Sequence, residues 1–313
     1  MHWNIEHGNR YEQVERALLE HPELAAADLV TLGEVDLGMA RASNRDVAAD
    51  LALALGLHAA WAPLFLETTQ GRDDDTREAA GRGNQESLFG LALLSRWPIG
   101  DARIVELPSP ARFQYDAEGM YGRFIALVAA IERPRGPFVA ASLHLEVHRT
   151  RRHRAAQMRV LLAHLRDERR PIILGGDFNS HTFDRGRWWD PFTGAAVLSG
   201  WPGELLRRRL RWPDRGPARE PLFTPLREAG FEWDRFADRE PTLRLRFVRV
   251  PEARGLWVSP LARPLLDRAE RRGHLRLDWF AGRGWRGGSG ATVRGLDGPG
   301  RASDHAPITA EFW

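Results

Sequence analysis

Cysteine is absent from this 313-residue sequence, and so is lysine: all 45 basic side chains are arginine, set against 42 acidic ones. Without cysteine there is no disulfide framework, no thiolate metal site and no thiol nucleophile. Without lysine there is no Schiff base and no Walker-type phosphate lysine. A metal would be held by carboxylates, amides, imidazoles or water, which points to Mg, Mn or Ca, or to a histidine-rich transition-metal site. The same absences account for the sequence pI near 10.0. Only three tyrosines and the amino terminus titrate at moderately alkaline pH, so an excess of just +3 persists. The high pI reports missing buffering groups, not a strongly basic surface.

Long apolar runs are missing too. The stretch 125–131 is far too short to span a bilayer. The opening Met1-His2-Trp3-Asn4-Ile5 has no charged-then-apolar leader, so the expectation is a cytoplasmic protein without a membrane span, and a monomer; a mis-called start codon would hide an upstream segment. At 43% hydrophobic and 28% charged, the composition is that of an ordinary globular protein, long enough for one large core or two modest ones.

Short apolar runs alternate with helix-period segments over the first 180 residues. Strands are expected at 3–5, 29–32, 58–62, 88–95, 103–107, 124–131, 138–144 and 172–175. Helices are expected at 11–21, 44–55 and 150–167. The second has Ser43 as its N-cap and Val47, Leu51 and Leu55 on one face. The third places Ala155, Met158, Leu162 and Leu165 on one stripe with arginine opposite. Hairpins mixed with helical crossovers suggest an α+β arrangement of mixed sheets covered by helices. From 181 to 241 the texture changes, with Trp188, Trp189, Trp201, Trp212 and Trp233 among Pro, Gly and Arg; this reads as a long, partly helical insertion. Strands resume at 242–250 and 275–280, followed by a Gly-rich hairpin region at 281–290 and a last strand at 307–312.

The strands end in polar groups. Asn4 closes the first, Glu34 follows Leu29-Val30-Thr31-Leu32-Gly33, and His144 follows Ser142-Leu143. Ile172-Ile173-Leu174 runs through two glycines into Asp177-Phe178-Asn179, and Leu277-Asp278-Trp279 and Ser303-Asp304-His305 add two acids and another imidazole. Each alone is more often a turn or a satisfied core residue. Their joint occurrence is the informative fact.

Trp3-Asn4-Ile5, Gly33-Glu34-Val35-Asp36, the Gly90–Pro98 segment, Ser142-Leu143-His144, Gly176-Asp177-Phe178-Asn179, Leu277-Asp278-Trp279 and Ser303-Asp304-His305 together resemble the ordered signatures of the endonuclease/exonuclease/phosphatase superfamily. That group includes deoxyribonuclease-I-like nucleases, abasic-site endonucleases, deadenylases, neutral sphingomyelinases and inositol-polyphosphate 5-phosphatases. The resemblance implies a four-layer α/β sandwich, two packed mixed sheets flanked by helices, forming one domain over 1–313 apart from the insertion. It also implies a Mg²⁺- or Mn²⁺-dependent hydrolase of phosphoric esters. Glu34 would be the first metal ligand, with Asn4 beside it and Asp304 a further one. Asp177 would orient or deprotonate the attacking water, Asn179 would hold water or a phosphoryl oxygen, and His144 and His305 would donate to the phosphate. The family pattern pairs His305 with Asp278, and the deoxyribonuclease-like pattern pairs His144 with Glu86. Arg41 falls where many relatives carry a basic residue, and phosphate contact weighs evenly against its being one surface Arg among many.

Departures narrow the branch. Gly33 stands where relatives usually carry Gln, and Leu91 where many carry Asn. Glu34-Val35-Asp36 lacks the Glu-Thr-Lys continuation of abasic endonucleases and sits closer to sphingomyelinase-like and assorted bacterial phosphodiesterase members. Nucleic acid leads as substrate by a small margin, a phospholipid or inositol-phosphate headgroup follows, and a catalytically silent binding scaffold is the non-enzyme alternative. Arg149, Arg151, Arg152 and Arg154 read as a solvated helix face. Arg207, Arg208, Arg209 and Arg211, beside Trp212, leave phosphate-backbone contact open. The tryptophans of the insertion fit a lid core or an exposed lipid-facing surface equally.

Overall fold

The computed structural model describes residues 1–71, 74–109, 119–187, 189–246 and 263–313. Two mixed sheets dominate it. The larger contains β1 (His2–His7), β2 (Leu29–Leu37), β3 (His58–Glu67), β4 (Leu88–Ser95), β6 (Met120–Gly122), β13 (Gly288–Thr292) and β14 (Ile308–Phe312), in the order β13-β14-β1-β2-β4-β3-β6. The smaller contains β5 (Ile99–Glu106), β7 (Ile125–Ile131), β8 (Phe138–His144), β9 (Ile172–Asp177) and β12 (Asp278–Arg283), in the order β12-β9-β8-β7-β5. Each sheet has one parallel pair, β1 with β2 and β8 with β9; its other pairs are antiparallel.

The layering follows from period-2 side-chain alternation. On β4, Leu91 and Leu93 join the core between the sheets, while Ala92 and Leu94 point outward to a second cluster. That outer cluster is closed by Val14 and Leu18 of the helix Tyr11–Glu20 and Val47 and Leu51 of the helix Val47–Leu55. On the far side, Ala155, Met158, Leu161, Leu162 and Leu165 lay the helix Arg151–His164 and its C-cap against the smaller sheet. Helix, sheet, sheet, helix is the expected four-layer α+β sandwich.

Local differences from the sequence reading have local causes. The helix expected at 44–55 starts at Val47, because residues 40–42 form a 3₁₀ turn and Ser43 and Asn44 are left-handed; the cap is Asp46, which accepts from the Ala49 N–H at 3.0 Å. β2 runs to Leu37 instead of stopping at 32, because β4 pairs with it on both sides of an irregularity between Leu32 and Val35. β5 begins at Ile99, where β7 starts to pair with it. The strand expected at 275–280 is two: His274–Leu275 (β11) pairs with Leu243–Arg244 (β10), whereas Asp278 onward pairs with β9. Only Leu243–Arg244 of the strand expected at 242–250 is extended and paired, and 247–250 lies outside the described residues.

The insertion is partly helical, with helices Asp190–Gly200, Gly203–Arg211 and Phe223–Glu228. It is clamped from beneath by Arg154, which is fully buried: Nη2 donates to Glu220 Oε1 at 2.7 Å and Nε to Glu220 Oε2 at 3.3 Å. Arg154 is therefore a structural tie and not part of a solvated face. The tryptophans divide: Trp233 is buried and bonded to Asp214, Trp189 and Trp201 are exposed, and Trp188 is outside the described residues.

Gly175 fixes the sheet spacing near the strand ends. A Cβ there would lie 2.7 Å from the Phe280 ring and 2.8 Å from Thr31 Oγ1 on the opposite sheet. Gly175→Ala is expected to cost about 1–3 kcal/mol, as overpacking of a filled core does; urea unfolding of the purified variant measures it.

Candidate active site

The two parallel pairs carry their carboxyl ends to the same end of the sandwich. Asn4 is level with Gly33 across β1–β2, and His144 is level with Asp177 across β8–β9. Ligands bind at such carboxyl ends because the chain leaves the sheet there and polar side chains are no longer covered. The β1–β2 register slips just beyond Asn4, and Glu6, His7 and Glu34 take positive φ of 49°, 68° and 54°. This bulge turns Glu34 toward the open end while Gly33 and Val35 stay buried. Positive φ at non-glycine residues is strained, and strain of this kind gathers at functional sites.

Asn4 Nδ2 donates to Glu34 Oε1 at 3.0 Å. Glu34 then faces two imidazoles: His7 Nε2 is 3.7 Å from its Oε2, and His144 Nδ1 is 4.0 Å from its Oε1. Opposite, the backbone N–H of Asn179 donates to Asp177 Oδ1 at 2.8 Å, and Asn179 Nδ2 donates to Leu145 O at 2.8 Å. Asp177 Oδ1 is thereby held, and Oδ2 lies 3.9 Å from both His144 Nε2 and His305 Nε2. Those gaps exceed a hydrogen bond, and an oxygen atom set off the line between the groups can bond to both sides.

His305 is oriented from behind. Its Nδ1 is 2.8 Å from Asp278 Oδ2, which leaves Nε2 directed at Asp177. Asp278 Oδ1 meets His2 Nε2 at 3.2 Å, and His2 Nδ1 meets Thr31 Oγ1 at 2.9 Å. Trp3 Nε1 donates to His305 O at 2.9 Å and Ser303 Oγ donates to Asn4 O at 2.7 Å, so the 303–305 loop is tied to β1.

The buried charges shift accordingly. Burial raises the Glu34 pKa, but the charges of His7 and His144 and the Asn4 hydrogen bond outweigh it, holding the carboxylate at about 2. Burial and Arg41 lower the His7 value, yet Asp36, Glu34 and Asp75 bring it up to about 9. Asp177 is pushed above the ordinary carboxylate range by burial and the Asp278 charge, against the opposing pull of His305 and His144. Burial disfavours the Asp278 anion, but His305 and His2 hold it well below the usual range. Burial likewise opposes protonation of His305, and Asp278 and Asp177 overcome it, raising the imidazole well above its ordinary value.

Six of the residues proposed from the sequence, Glu34, His144, Asp177, Asn179, Asp304 and His305, line one cavity of about 330 Å³. Asn4 and Asp278 sit buried behind it. Two residues are elsewhere. Glu86 is exposed and packs against Gly38, and His144 Nδ1 has no hydrogen-bond partner among the described residues, so the expected Glu86–His144 pair does not form. Arg41 is buried, donating to Asp36 at 2.7 and 2.9 Å and pairing with Glu67 at 2.8 Å; its fork is committed to carboxylates, not to a phosphate. The reason is topological: Asp36 continues β2 past the bulge on its buried face, and the 3₁₀ turn folds Arg41 back over it.

The sequence reading missed His2, whose signal was its place with Asn4 and Glu6 at alternating positions of β1, and His7, which falls off that alternation and had no such signal. It also missed the apolar wall, where Leu198, Leu243, Leu245, Leu275 and Leu277 line the same cavity. His181 lines it too, buried, with Nε2 at 3.1 Å from Arg154 Nη1. Arg209 stacks over Phe183, another lining residue, at 4.3 Å from the ring centroid, whereas Arg207 and Arg208 pair with Glu204 on their own helix.

Two facing mixed sheets thus carry an acid, amide and imidazole centre at their shared open end. The chain matches the model of the Endonuclease/Exonuclease/phosphatase family over residues 1–305 and belongs to that family. Among solved structures it is similar to an endonuclease/exonuclease/phosphatase from Beutenbergia cavernae, at 20% identity and a TM-score of 0.54 over 99% of this chain and 69% of that one. It is similar to the 3'-5' exonuclease NExo from Neisseria meningitidis, at 18% identity and a TM-score of 0.53 over 99% and 98% of the two chains. It is also similar to the human Nocturnin catalytic domain with bound sulfate, at 17% identity and a TM-score of 0.51 over 99% and 92%. No curated protein matches the sequence.

Two outcomes follow from the electrostatics. Asp278→Ala leaves two buried imidazoles without their shared carboxylate and is expected to cost about 3–5 kcal/mol, read from the urea midpoint at constant m-value. His181 is held neutral by burial and by Arg154, so its folded pKa lies well below 6.5. The unfolded chain therefore binds a proton that the folded one refuses, and stability present above about pH 6.5 is lost at about 1.4 kcal/mol per pH unit below it. His181→Gln is expected to flatten that acid slope in unfolding measured from pH 7.5 to 5.

Proposed function

We propose that the protein is a divalent-metal-dependent phosphodiester hydrolase with a nucleic-acid strand as its first-choice substrate. The observation that carries the reading is the convergence of His144 Nε2 and His305 Nε2, each 3.9 Å from one Asp177 oxygen, beside the Glu34 carboxylate in one cavity. Family membership supports phosphoester chemistry. The fold neighbour described as the 3' phosphatase NExo from Neisseria bound to product DNA hairpin supports nucleic acid.

The donor set fits a hard cation. Glu34 is an ionised carboxylate open to the cavity, and Asp304 lines the same wall. Mg²⁺ keeps several waters and takes only one or two carboxylates. Glu34 and Asp304 would hold it, with the Asn4 amide fixing Glu34. Asp177, Asp278 and His305 also bring ligand atoms within 4.8 Å of one another. Asp278, however, already accepts from two imidazoles, which assigns this trio to proton handling. When bound, the ion neutralises phosphoryl oxygens and acidifies water.

The chain's own groups supply the rest. Asp177, with Oδ1 held by the Asn179 N–H, takes the proton of the attacking water through Oδ2. His305, oriented by Asp278, donates from Nε2 to a phosphoryl oxygen and His144 does so from the other side; as the water oxygen adds, the P–O bond to the leaving group breaks and the departing oxygen takes its proton from one of these imidazoles. A second reading, a phospholipid or inositol-phosphate headgroup, is favoured by one specific observation, the five-leucine wall of the cavity. Among the described residues no helix is long and apolar enough to cross a membrane.

With Mg²⁺ or Mn²⁺ the protein is expected to hydrolyse bis(p-nitrophenyl) phosphate and plasmid DNA, with EDTA abolishing both activities. Asp177→Asn and His305→Ala are each expected to reduce turnover by at least 10²-fold with unchanged circular dichroism; full activity in either rejects the role assigned to it. A panel of single-stranded DNA, abasic duplex, RNA, sphingomyelin and inositol phosphates separates the two substrate readings. Turnover of only the lipid or inositol members overturns the first, and tight metal-dependent binding without turnover of any member overturns hydrolysis itself.

A further inference from the structure

A second cavity, of about 510 Å³, adjoins the first, and Asp304 lines both. Its walls carry Arg10, Arg77, Arg244 and Arg246 against Glu270 and Asp304, with the glycine-rich turn Gly298-Pro299-Gly300 at its edge. The partition between the two is the segment Leu243-Arg244-Leu245-Arg246. It is held on one edge by the Leu243–His305 bridge and the Ala306 N–H to Thr242 O bond, and on the other by pairing of Leu243 with Leu275. Leu243 and Leu245 line the catalytic cavity, and Arg244 and Arg246 line the second one.

We infer that this arginine cavity binds a second phosphate group of the same substrate molecule, one that flanks the phosphate being hydrolysed. The inference rests on the phosphodiesterase reading and deepens it by requiring a substrate with more than one phosphate. The chemistry is specific. Four guanidinium groups line one concave space, and the planar fork matches phosphate oxygens two at a time. Arg10 keeps Glu6 at 3.3 Å and Arg244 keeps Asp297 at 3.5 Å as partners, while Arg246 has no ion-pair partner among the described residues. The leucine face of the same strand then packs the uncharged part of the substrate that joins the two phosphates. The second phosphate comes either from the next unit of a nucleic-acid strand or from a polyphosphorylated headgroup, and the shared group is the phosphate anion.

The test uses the full chain with Mn²⁺ and the variant Arg244→Ala/Arg246→Ala. Rates are measured on bis(p-nitrophenyl) phosphate, which has one phosphate, on a decathymidylate, and on a phosphatidylinositol bisphosphate in detergent micelles. We expect the ratio of kcat/KM for a multi-phosphate substrate to that for bis(p-nitrophenyl) phosphate to fall at least tenfold, through KM. The slope of log kcat/KM against log salt is expected to flatten by about one for each arginine–phosphate pair removed. Arg244→Lys/Arg246→Lys restores most of the slope, which a folding defect would not allow. A fall confined to decathymidylate assigns the cavity to strand phosphates, and one confined to the bisphosphate assigns it to a headgroup; either supports the inference. An unchanged ratio and salt slope on both substrates overturn it. If the wild type turns over none of the three, the hydrolase reading has failed separately. Fluorescence anisotropy of labelled decathymidylate and bisphosphate, wild type against variant, then decides the cavity alone: equal affinities for both ligands overturn the inference, and a tenfold weakening of either upholds it.

Discussion

The carboxylate of Asp278 is the point on which the rest of the arrangement depends. It sits at the start of β12 in the smaller sheet, and its two oxygens bond to His2 on β1 of the larger sheet and to His305 in the loop that leads into β14. One buried anion therefore clips the two layers together at the end where the polar strand termini gather. The same bond sets the orientation of His305 and keeps Nε2 free for chemistry. Such a group is costly to bury and more costly to unpair, so the sheets keep their separation where the site needs it to be fixed. Gly175, between Thr31 and Phe280, maintains that separation from the other direction, because no side chain fits there.

Around this clip the architecture repeats one device. Each sheet contributes a single parallel pair, and those pairs deliver Asn4 and Glu34 from one side and His144 and Asp177 from the other. The bulge at Glu34 converts a buried strand position into a carboxylate facing the cavity. β10 and the two residues after it extend the logic outward: one four-residue segment gives leucines to the catalytic cavity and arginines to its neighbour. The absence of lysine acquires a structural meaning here. Arg41 and Arg154 use planar forks in buried pairs with Asp36 and Glu220, a geometry that a lysine ammonium does not reproduce. Part of the arginine excess therefore lies inside the molecule, and the basic part that matters for ligands is local.

Much of the fold was legible because its signals are local. The apolar runs at Leu88–Ser95 and Phe138–His144 have the length and composition of buried strands, and both form with those bounds. Boundaries went astray where a partner elsewhere in the chain decided them. β2 is prolonged past Glu34 by β4, and the run at 275–280 is divided because its two halves pair with different strands. The strand-end acids, amides and imidazoles were visible as residues, and six of them share a cavity. Arg41 and Glu86 were misplaced because proximity in sequence says nothing about which face of a turn a side chain takes. His2, His7 and His181 were overlooked because a single histidine carries no mark of what lies across from it.

The chemical repertoire and the layered class are written in the residues themselves: no thiol, no lysine amine, oxygen and imidazole groups at the ends of strands, and alternation that buries both faces of two sheets. These are properties of residue type and of short-range period, and they do not depend on which distant segments meet. Folding is what brings Asp278 to both His2 and His305, gives Arg41 to Asp36 and Glu67, and turns the leucines and arginines of 243–246 to different cavities. The Asp278 pairs bring groups 276 and 27 residues apart within hydrogen-bond reach, and the placing of Arg41 and of 243–246 depends on segments equally remote. That proximity is set by sheet pairing and core packing, which no local pattern encodes.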